Sequence, residues 1–123
     1  MNEIFDAATA LEQAGGNEEL ARELFSMLLN ELPDHRQAID AAFRSMTSET
    51  AAIDGLWDSV HKLYGAAAYL GVPALRGAAK TLEDQIRENA RDQLAEGIRQ
   101  LDQEIERLLN SSADILARDW SGS

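Results

Sequence analysis

Leu94, Ile98, Leu101, Ile105 and Leu108 recur at steps of 4, 3, 4 and 3 along the chain. Ile53, Leu56, Val60, Leu63, Ala67 and Leu70 recur at steps of 3, 4, 3, 4 and 3. Such spacing lays each set along one stripe of an α-helix, whereas a strand would need period 2. A third stripe runs through Leu20, Leu24, Met27, Leu28 and Leu32 and resumes at Ile39, Ala42, Phe43 and Met46. A fourth is drawn by Leu75, Ala78, Ala79, Leu82 and Ile86. No stretch alternates long enough to make a convincing strand. A helix with one apolar stripe must bury it against another element, and four such helices with short connections predict an all-α fold. The expected architecture is an antiparallel up-down-up-down four-helix bundle with a short N-terminal helix.

The punctuation residues set the expected boundaries. The N-terminal helix is expected over 3–13, carrying Ile4, Phe5, Ala8 and Leu11, and Gly15-Gly16 ends it. Asn17 is a good N-cap, with Glu18 and Glu19 in the first turn at the positive end of the helix dipole. Residues 17–46 read as one long helix kinked near Pro33, with two helices meeting at Leu32 as the alternative. Thr47-Ser48 opens the third helix, with Glu49 near its start, and Gly71 suits the left-handed position after its end. Pro73 suits the first position of the fourth helix, which is expected to reach Asn89, with a turn over Asn89 to Asp92. Asn110-Ser111-Ser112 weakens the fifth helix, and Ile115, Leu116 and Trp120 either extend it or fold back on the bundle. The chain is therefore expected to be a single domain over 1–123, with its core bundle at about 17–110 and a C-terminal extension over 111–123 that ends in flexible Ser121-Gly122-Ser123.

Composition narrows the function. The 123 residues include no cysteine, which removes disulfide frameworks, thiol nucleophiles and cysteine-ligated zinc, and fits a reducing, cytoplasmic compartment. The formal charge of -11 argues against nucleic acid and anionic membrane as main partners, since both require a basic footprint. Such charge also simply keeps a domain soluble. No stretch approaches the roughly 20 apolar residues of a transmembrane helix, and no basic segment leads into an apolar one at the N-terminus. If the native protein meets a membrane, that contact is expected elsewhere in a longer polypeptide. The domain is expected to be a monomer.

One histidine stands out within the third helix. On a helical wheel His61 falls on the order of 130° from the centre of the core stripe, at the edge of the core or in solvent. Trp57 lies one turn before it, and Gly65 and Ala68 lie one and two turns after it on the same side. Gly65 has no side chain to cover the imidazole, and a helical glycine costs roughly 1 kcal/mol relative to alanine, so the space there has a use. Lys62 points further outward. An exposed neutral imidazole is a nucleophile near neutral pH, and a phosphoryl group arriving on its outer nitrogen would be offset by the neighbouring ammonium. The chain carries neither a glycine-rich phosphate loop nor a carboxylate cluster for magnesium, so it has no ATP site of its own. Any phosphoryl group must come from another protein or domain that also brings the metal.

The run His61-Lys62-Leu63-x-Gly65-Ala66-Ala67-x-x-Leu70-Gly71 resembles the signature of histidine-containing phosphotransfer (HPt) domains of multistep phosphorelays. Its continuation Gly71-Val72-Pro73-x-Leu75, with Tyr69 before it, is similar to the C-terminal HPt domain of hybrid sensor kinases of the bacterial GacS/BarA type. The resemblance implies that His61 accepts the phosphoryl group from a receiver-domain phosphoaspartate and passes it to a response-regulator receiver. It implies no autonomous catalysis, no cofactor bound by this chain, and Mg2+ held by the partner receiver. Lys62 would lie beside the phosphoryl group, and Gly65 would leave room for the partner. Glu83, 22 positions after the histidine, stands where members of the family carry a Gln or Glu that accepts a hydrogen bond from the inner ring nitrogen. Ala66 stands where some members have a basic residue, so phosphoryl stabilisation would rest more on Lys62, with Lys80 and Arg87 as further candidate cations. Trp57, Tyr64, Ala68 and Tyr69 are candidates for a docking patch. The resemblance further implies a cytoplasmic location, including the cytoplasmic part of a membrane-bound sensor kinase.

Two other readings compete. A di-iron bundle needs two Glu-x-x-His motifs and further inward carboxylates, but the chain has only His35 and His61, and Asp58-x-x-His61 offers a comparable spacing once. A structural helical-bundle adaptor, an interaction module without histidine phosphorylation, requires no histidine chemistry.

Overall fold

The side chain of Asp6 captures a free amide in the first turn of a helix, accepting from Thr9 N–H at 3.4 Å and from Thr9 Oγ1 at 2.8 Å. This cap starts α1 (Ala7–Gln13), so the N-terminal helix begins four residues later than the expected 3–13. Ile4 and Phe5 lie before it in non-helical backbone, and Phe5 is nonetheless buried. Gly15 and Gly16 both take positive φ and end the element as expected. The side chain of Asn17 then accepts from Leu20 N–H at 3.0 Å and opens α2 (Glu18–Arg44). This helix is continuous through Pro33, so the two-helix alternative does not occur. Pro33 is exposed, and its missing N–H and its ring fall on the solvent side rather than in the core.

The computed structural model describes residues 3–46, 50–88 and 90–120. The expected start signal Thr47-Ser48-Glu49, Asn89 of the expected turn, and Ser121-Gly122-Ser123 lie outside the described residues. The remaining elements are α3 (Thr50–Ala67), α4 (Pro73–Arg87) and α5 (Arg91–Ala117). All described elements are helices. Each of α2 to α5 packs on its neighbour in the chain, and α5 closes the ring against α2, which is the antiparallel four-helix bundle; α1 packs on α2. The interior is filled by the stripes read from the sequence, with Phe25, Leu28, Leu32, Leu56, Leu63, Leu82, Leu101 and Ile105 among the fully enclosed side chains.

Two boundaries differ in ways that matter. Regular α3 stops at Ala67 rather than near Leu70, and residues 68–71 form a turn. The turn is held from outside. Asp6 N–H donates to the Gly71 carbonyl at 2.7 Å, and Ala74 N–H donates to the Glu3 carbonyl at 2.9 Å. Gly71 has φ +73, and a Cβ there would collide with the Asp6 carbonyl and with Ala10. Gly71 is thus required both by its own conformation and by the close approach of the N-terminal segment.

The second difference is at the other end. The expected extension over 111–123 is bundle as far as it is described: α5 runs to Ala117, Ile115 is buried, and Trp120 is only 2% exposed. Trp120 folds back so that its ring meets Phe5 at 4.7 Å and Phe25 at 5.6 Å between centroids, with its indole N–H donating to the Ile115 carbonyl at 2.9 Å. Arg22 clamps this end. Its guanidinium lies 4.5 Å from the Trp120 ring centroid and donates to the carbonyls of Leu116 (2.6 Å) and Arg118 (2.5 Å), at the negative end of α5.

Candidate functional site

The core stripe of α3 fixes what its other faces can do. Leu56, Val60, Leu63 and Ala67 are buried against the bundle, so the residues rotated away from them must point to the seam with α4 or to solvent. His61 sits at that seam, with its side chain 53% exposed, in agreement with its wheel position. On α4, Leu75, Ala79, Leu82 and Ile86 face inward, and Glu83 follows directly after a core leucine. Its side chain is only 4% exposed, deeper than the boundary position expected for it.

These two side chains meet. His61 Nδ1 lies 3.2 Å from Glu83 Oε2. A carboxylate has no hydrogen to give, so the contact places the hydrogen on Nδ1, which donates, and leaves Nε2 on the free edge of the ring as the nucleophilic nitrogen. The second carboxylate oxygen accepts from Arg87 Nη2 at 3.4 Å. A buried carboxylate thus has two cation-capable partners, as its desolvation demands. Above the ring the indole of Trp57 lies stacked, with centroids 4.5 Å apart and planes 10° from parallel. Along the helix, a Cβ built on Gly65 has nothing within 4 Å. The helix surface one turn after the half-exposed imidazole is therefore open.

The other expected site residues separate into groups. Lys62 is exposed and makes no ion pair among the described residues. Lys80 is engaged with Asp84 at 3.2 Å and stands 5.9 Å from the ring centroid of Tyr64. Arg87 reaches the site only through Glu83. The aromatic and small residues do not make one patch. Tyr64 lines a groove of about 320 Å³ with Pro73, Arg76, Gly77 and Lys80 on the α4 side. Tyr69, 63% exposed, lines a groove of about 240 Å³ with Leu24, Met27 and Leu70 on the α2 side. Ala68 borders a small cleft under the N-terminal segment, beside Asp6 and Thr9. The shortened α3 is the physical reason, since Ala68 and Tyr69 belong to the turn and leave the helical wheel.

Arg76 is a residue that the sequence reading passed over. Its guanidinium lies 5.8 Å from the centroid of the Tyr64 ring and donates weakly to the Tyr64 hydroxyl at 3.5 Å. The signal was present, because Arg76, Lys80, Glu83 and Arg87 follow at steps of 4, 3 and 4 and so share one face of α4. Lys80 and Arg87 on this face are paired with Asp84 and Glu83. Among the described residues no group of three or more His, Asp or Glu side chains is placed to hold a metal ion. No described helix is long and apolar enough to cross a membrane.

The chain is similar to known proteins. Residues 23–111 match the Hpt domain family. The chain is 34% identical over 92 residues, or 75% of its length, to the signal transduction histidine-protein kinase BarA of Escherichia coli K12. It is 33% identical over 105 residues, or 85% of its length, to the sensor protein GacS of Pseudomonas syringae. It spans only 10% and 11% of the lengths of these two relatives. Among solved structures, the HPT domain of a hybrid histidine kinase from Shewanella superposes with a TM-score of 0.77, covering 93% of this chain and 94% of that one, at 24% identity. The chain belongs to the Hpt domain family, the histidine phosphotransfer modules of two-component phosphorelays.

Proposed function

We propose that His61 is the residue that carries the phosphoryl group, accepting it on Nε2 from the phosphoaspartate of one receiver domain and giving it to the aspartate of another. The observation that supports this reading most is the division of labour on one ring. Nδ1 is held by a nearly buried carboxylate, while the imidazole is about half exposed and the helix surface one turn on, at Gly65, is open. The Nε2 lone pair forms the P–N bond as the bond from phosphorus to the aspartyl oxygen breaks, and that electron pair leaves on the carboxylate. Nδ1 keeps its hydrogen throughout, so the transfer moves no proton. The product ring carries a positive charge, which Glu83 offsets from 3.2 Å away. Lys62, with Lys80 and Arg87 further off, offsets the charge of the phosphoryl group itself.

In this reading the chain supplies no autonomous catalysis. Mg2+ is held by the receiver partner, and the domain works as a monomer in the cytoplasm, alone or as the cytoplasmic part of a membrane-bound hybrid kinase. Tyr64, in the groove beside Arg76 and Lys80, borders the surface on which the receiver would settle. A structural adaptor is the alternative, and one experiment separates the two. The domain is incubated with a phosphorylated receiver and Mg2+, and the label is tested for acid lability and base stability. Wild type is expected to take up such label and His61→Gln to take up none. Label that persists in His61→Gln would refute the site, and a wild type that no receiver labels would favour the adaptor.

A further inference from the structure

Trp57 is partly buried against the core, and Glu83 alone already accounts for the tautomer, so neither explains why the indole lies flat on the imidazole. The geometry of this stack bears on the ring itself. A single hydrogen bond from Nδ1 fixes one edge of the imidazole but leaves the plane free to swing about that bond. A half-exposed histidine so held reaches more than one rotamer, and these aim Nε2 in different directions. The indole closes this freedom from a second direction. It lies parallel to the imidazole within 10°, at 4.5 Å, so edge and face are fixed by different residues on different helices. The helix prepares the contact, since side chains lean toward the N-terminus and the residue four positions earlier is the one that a ring at position 61 falls against.

We infer that Trp57 is a positioning residue for phosphoryl transfer, acting through the imidazole of His61 rather than through contact with the partner. This rests on the proposed role of His61. Two effects combine. The stack holds Nε2 in its attacking orientation before the partner arrives, which removes an ordering step from the reaction. The stack also favours the product charge. Attack by Nε2 turns a neutral ring into one with a phosphoryl group on Nε2, a hydrogen on Nδ1 and a positive charge, and the face of an indole attracts such a cation. That attraction is stronger in the transition state than in the ground state, so it accelerates the step rather than only tightening binding. The ring face that Trp57 could offer a docking partner is already spent on the imidazole.

The test compares wild type, Trp57→Phe and Trp57→Leu in single-turnover transfer from a phosphorylated receiver, with receiver concentration varied. Phosphoramidate serves as a second, small donor, giving up its phosphoryl group to Nε2 with ammonia as the leaving group. Trp57→Leu is expected to lower the maximal rate about three- to tenfold, the size of a lost aromatic or cation–π contact, and to leave the half-saturating receiver concentration unchanged. Trp57→Phe, which keeps an aromatic face, should recover most of that loss. The chain has two tryptophans, so the difference between wild type and Trp57→Phe isolates the emission of Trp57. That emission is expected to change on phosphorylation by phosphoramidate. A raised half-saturating concentration at unchanged maximal rate would make Trp57 a docking residue and overturn the inference. So would equal kinetics in all three proteins, or an emission blind to phosphorylation. If Trp57→Leu does not fold, Trp57→Phe and the emission decide. Failure of the His61 reading looks different, as neither donor would then label wild type in a manner that His61→Gln abolishes.

Discussion

Glu83 Oε2 and His61 Nδ1 are 3.2 Å apart, yet the carboxylate is almost wholly enclosed and the imidazole is about half open to solvent. The buried member is therefore fixed by the bundle, and the exposed member takes its orientation from it. Glu83→Ala should leave Nδ1 without an acceptor and free the ring. A hydrogen bond to a charged group is worth about 1.5–3 kcal/mol, and partial exposure of the histidine puts this one near the lower end. Glu83→Ala is thus expected to lower the transfer rate about tenfold, a loss of roughly 1.4 kcal/mol. Glu83→Gln retains an acceptor oxygen without its charge and should fall between. Rates for Glu83→Ala equal to wild type would reduce the carboxylate to a structural part.

Gly65 and Gly71 lie six residues apart and should respond in opposite ways. A Cβ on Gly65 meets nothing within 4 Å in a helical backbone, so Gly65→Ala should raise stability by about 0.5–1 kcal/mol. Gly65→Leu should fold normally but lose most transfer from a receiver, while labelling by small phosphoramidate persists. Gly71→Ala forces an L residue into φ +73 and against Asp6 and Ala10, and should cost about 2 kcal/mol or more. Urea unfolding curves measure both, and a stabilised Gly71→Ala would contradict the role of the N-terminal segment in holding the turn.

These residues also show how far the sequence could be read. The phase of His61 followed from the stripe of α3 alone, because 100° per residue leaves little freedom once Val60 and Leu63 are inward. Glu83 was named through resemblance, and its depth was not legible, since burial one residue from Leu82 depends on how closely α3 and α4 pack. Trp57 was placed on the right side of the helix, but a wheel gives no ring orientation, so the stack was hidden. Leu70 kept the apolar period although the helix had ended, because a turn that packs on the core buries its residues as a helix does. Trp120 follows no period, and only the aromatic pair Phe5 and Phe25, far away in sequence, explains its position.

Asp102 gives the bundle a pH dependence remote from the site. Burial pushes its carboxyl above the ordinary value near 3.8, nearby Asp40 adds to this, and Arg36 opposes it. The folded state therefore holds this proton to higher pH than the unfolded chain does. The stabilising contribution is complete below the ordinary value and is lost as pH rises through the raised one. Asp102→Asn cannot titrate. Its stability relative to wild type is expected to increase as pH rises from about 4 toward neutrality, measured by urea unfolding. A difference that stays constant with pH would show that Asp102 titrates as it does in the unfolded chain.

The C-terminal turn decides where this domain can be cut. The family match ends at residue 111, and a C-terminal boundary drawn there would discard Ile115 and Trp120. It would also expose Phe5 and Phe25 and leave the Arg22 guanidinium without the carbonyls of Leu116 and Arg118. Truncating a buried tryptophan to alanine costs about 3–5 kcal/mol, a large share of the 5–15 kcal/mol that holds a typical domain together. Trp120→Ala should therefore lower the midpoint of thermal unfolding by well over 10 °C, at about 4–8 °C per kcal/mol for a domain near this size. A chain ending at residue 110 should lose more, because the helical turns beneath the indole go with it. Far-UV circular dichroism during heating measures both. If the shortened chain melts where the full one does, the aromatic cap is an appendage, and the bundle ends where its heptad-like period ends.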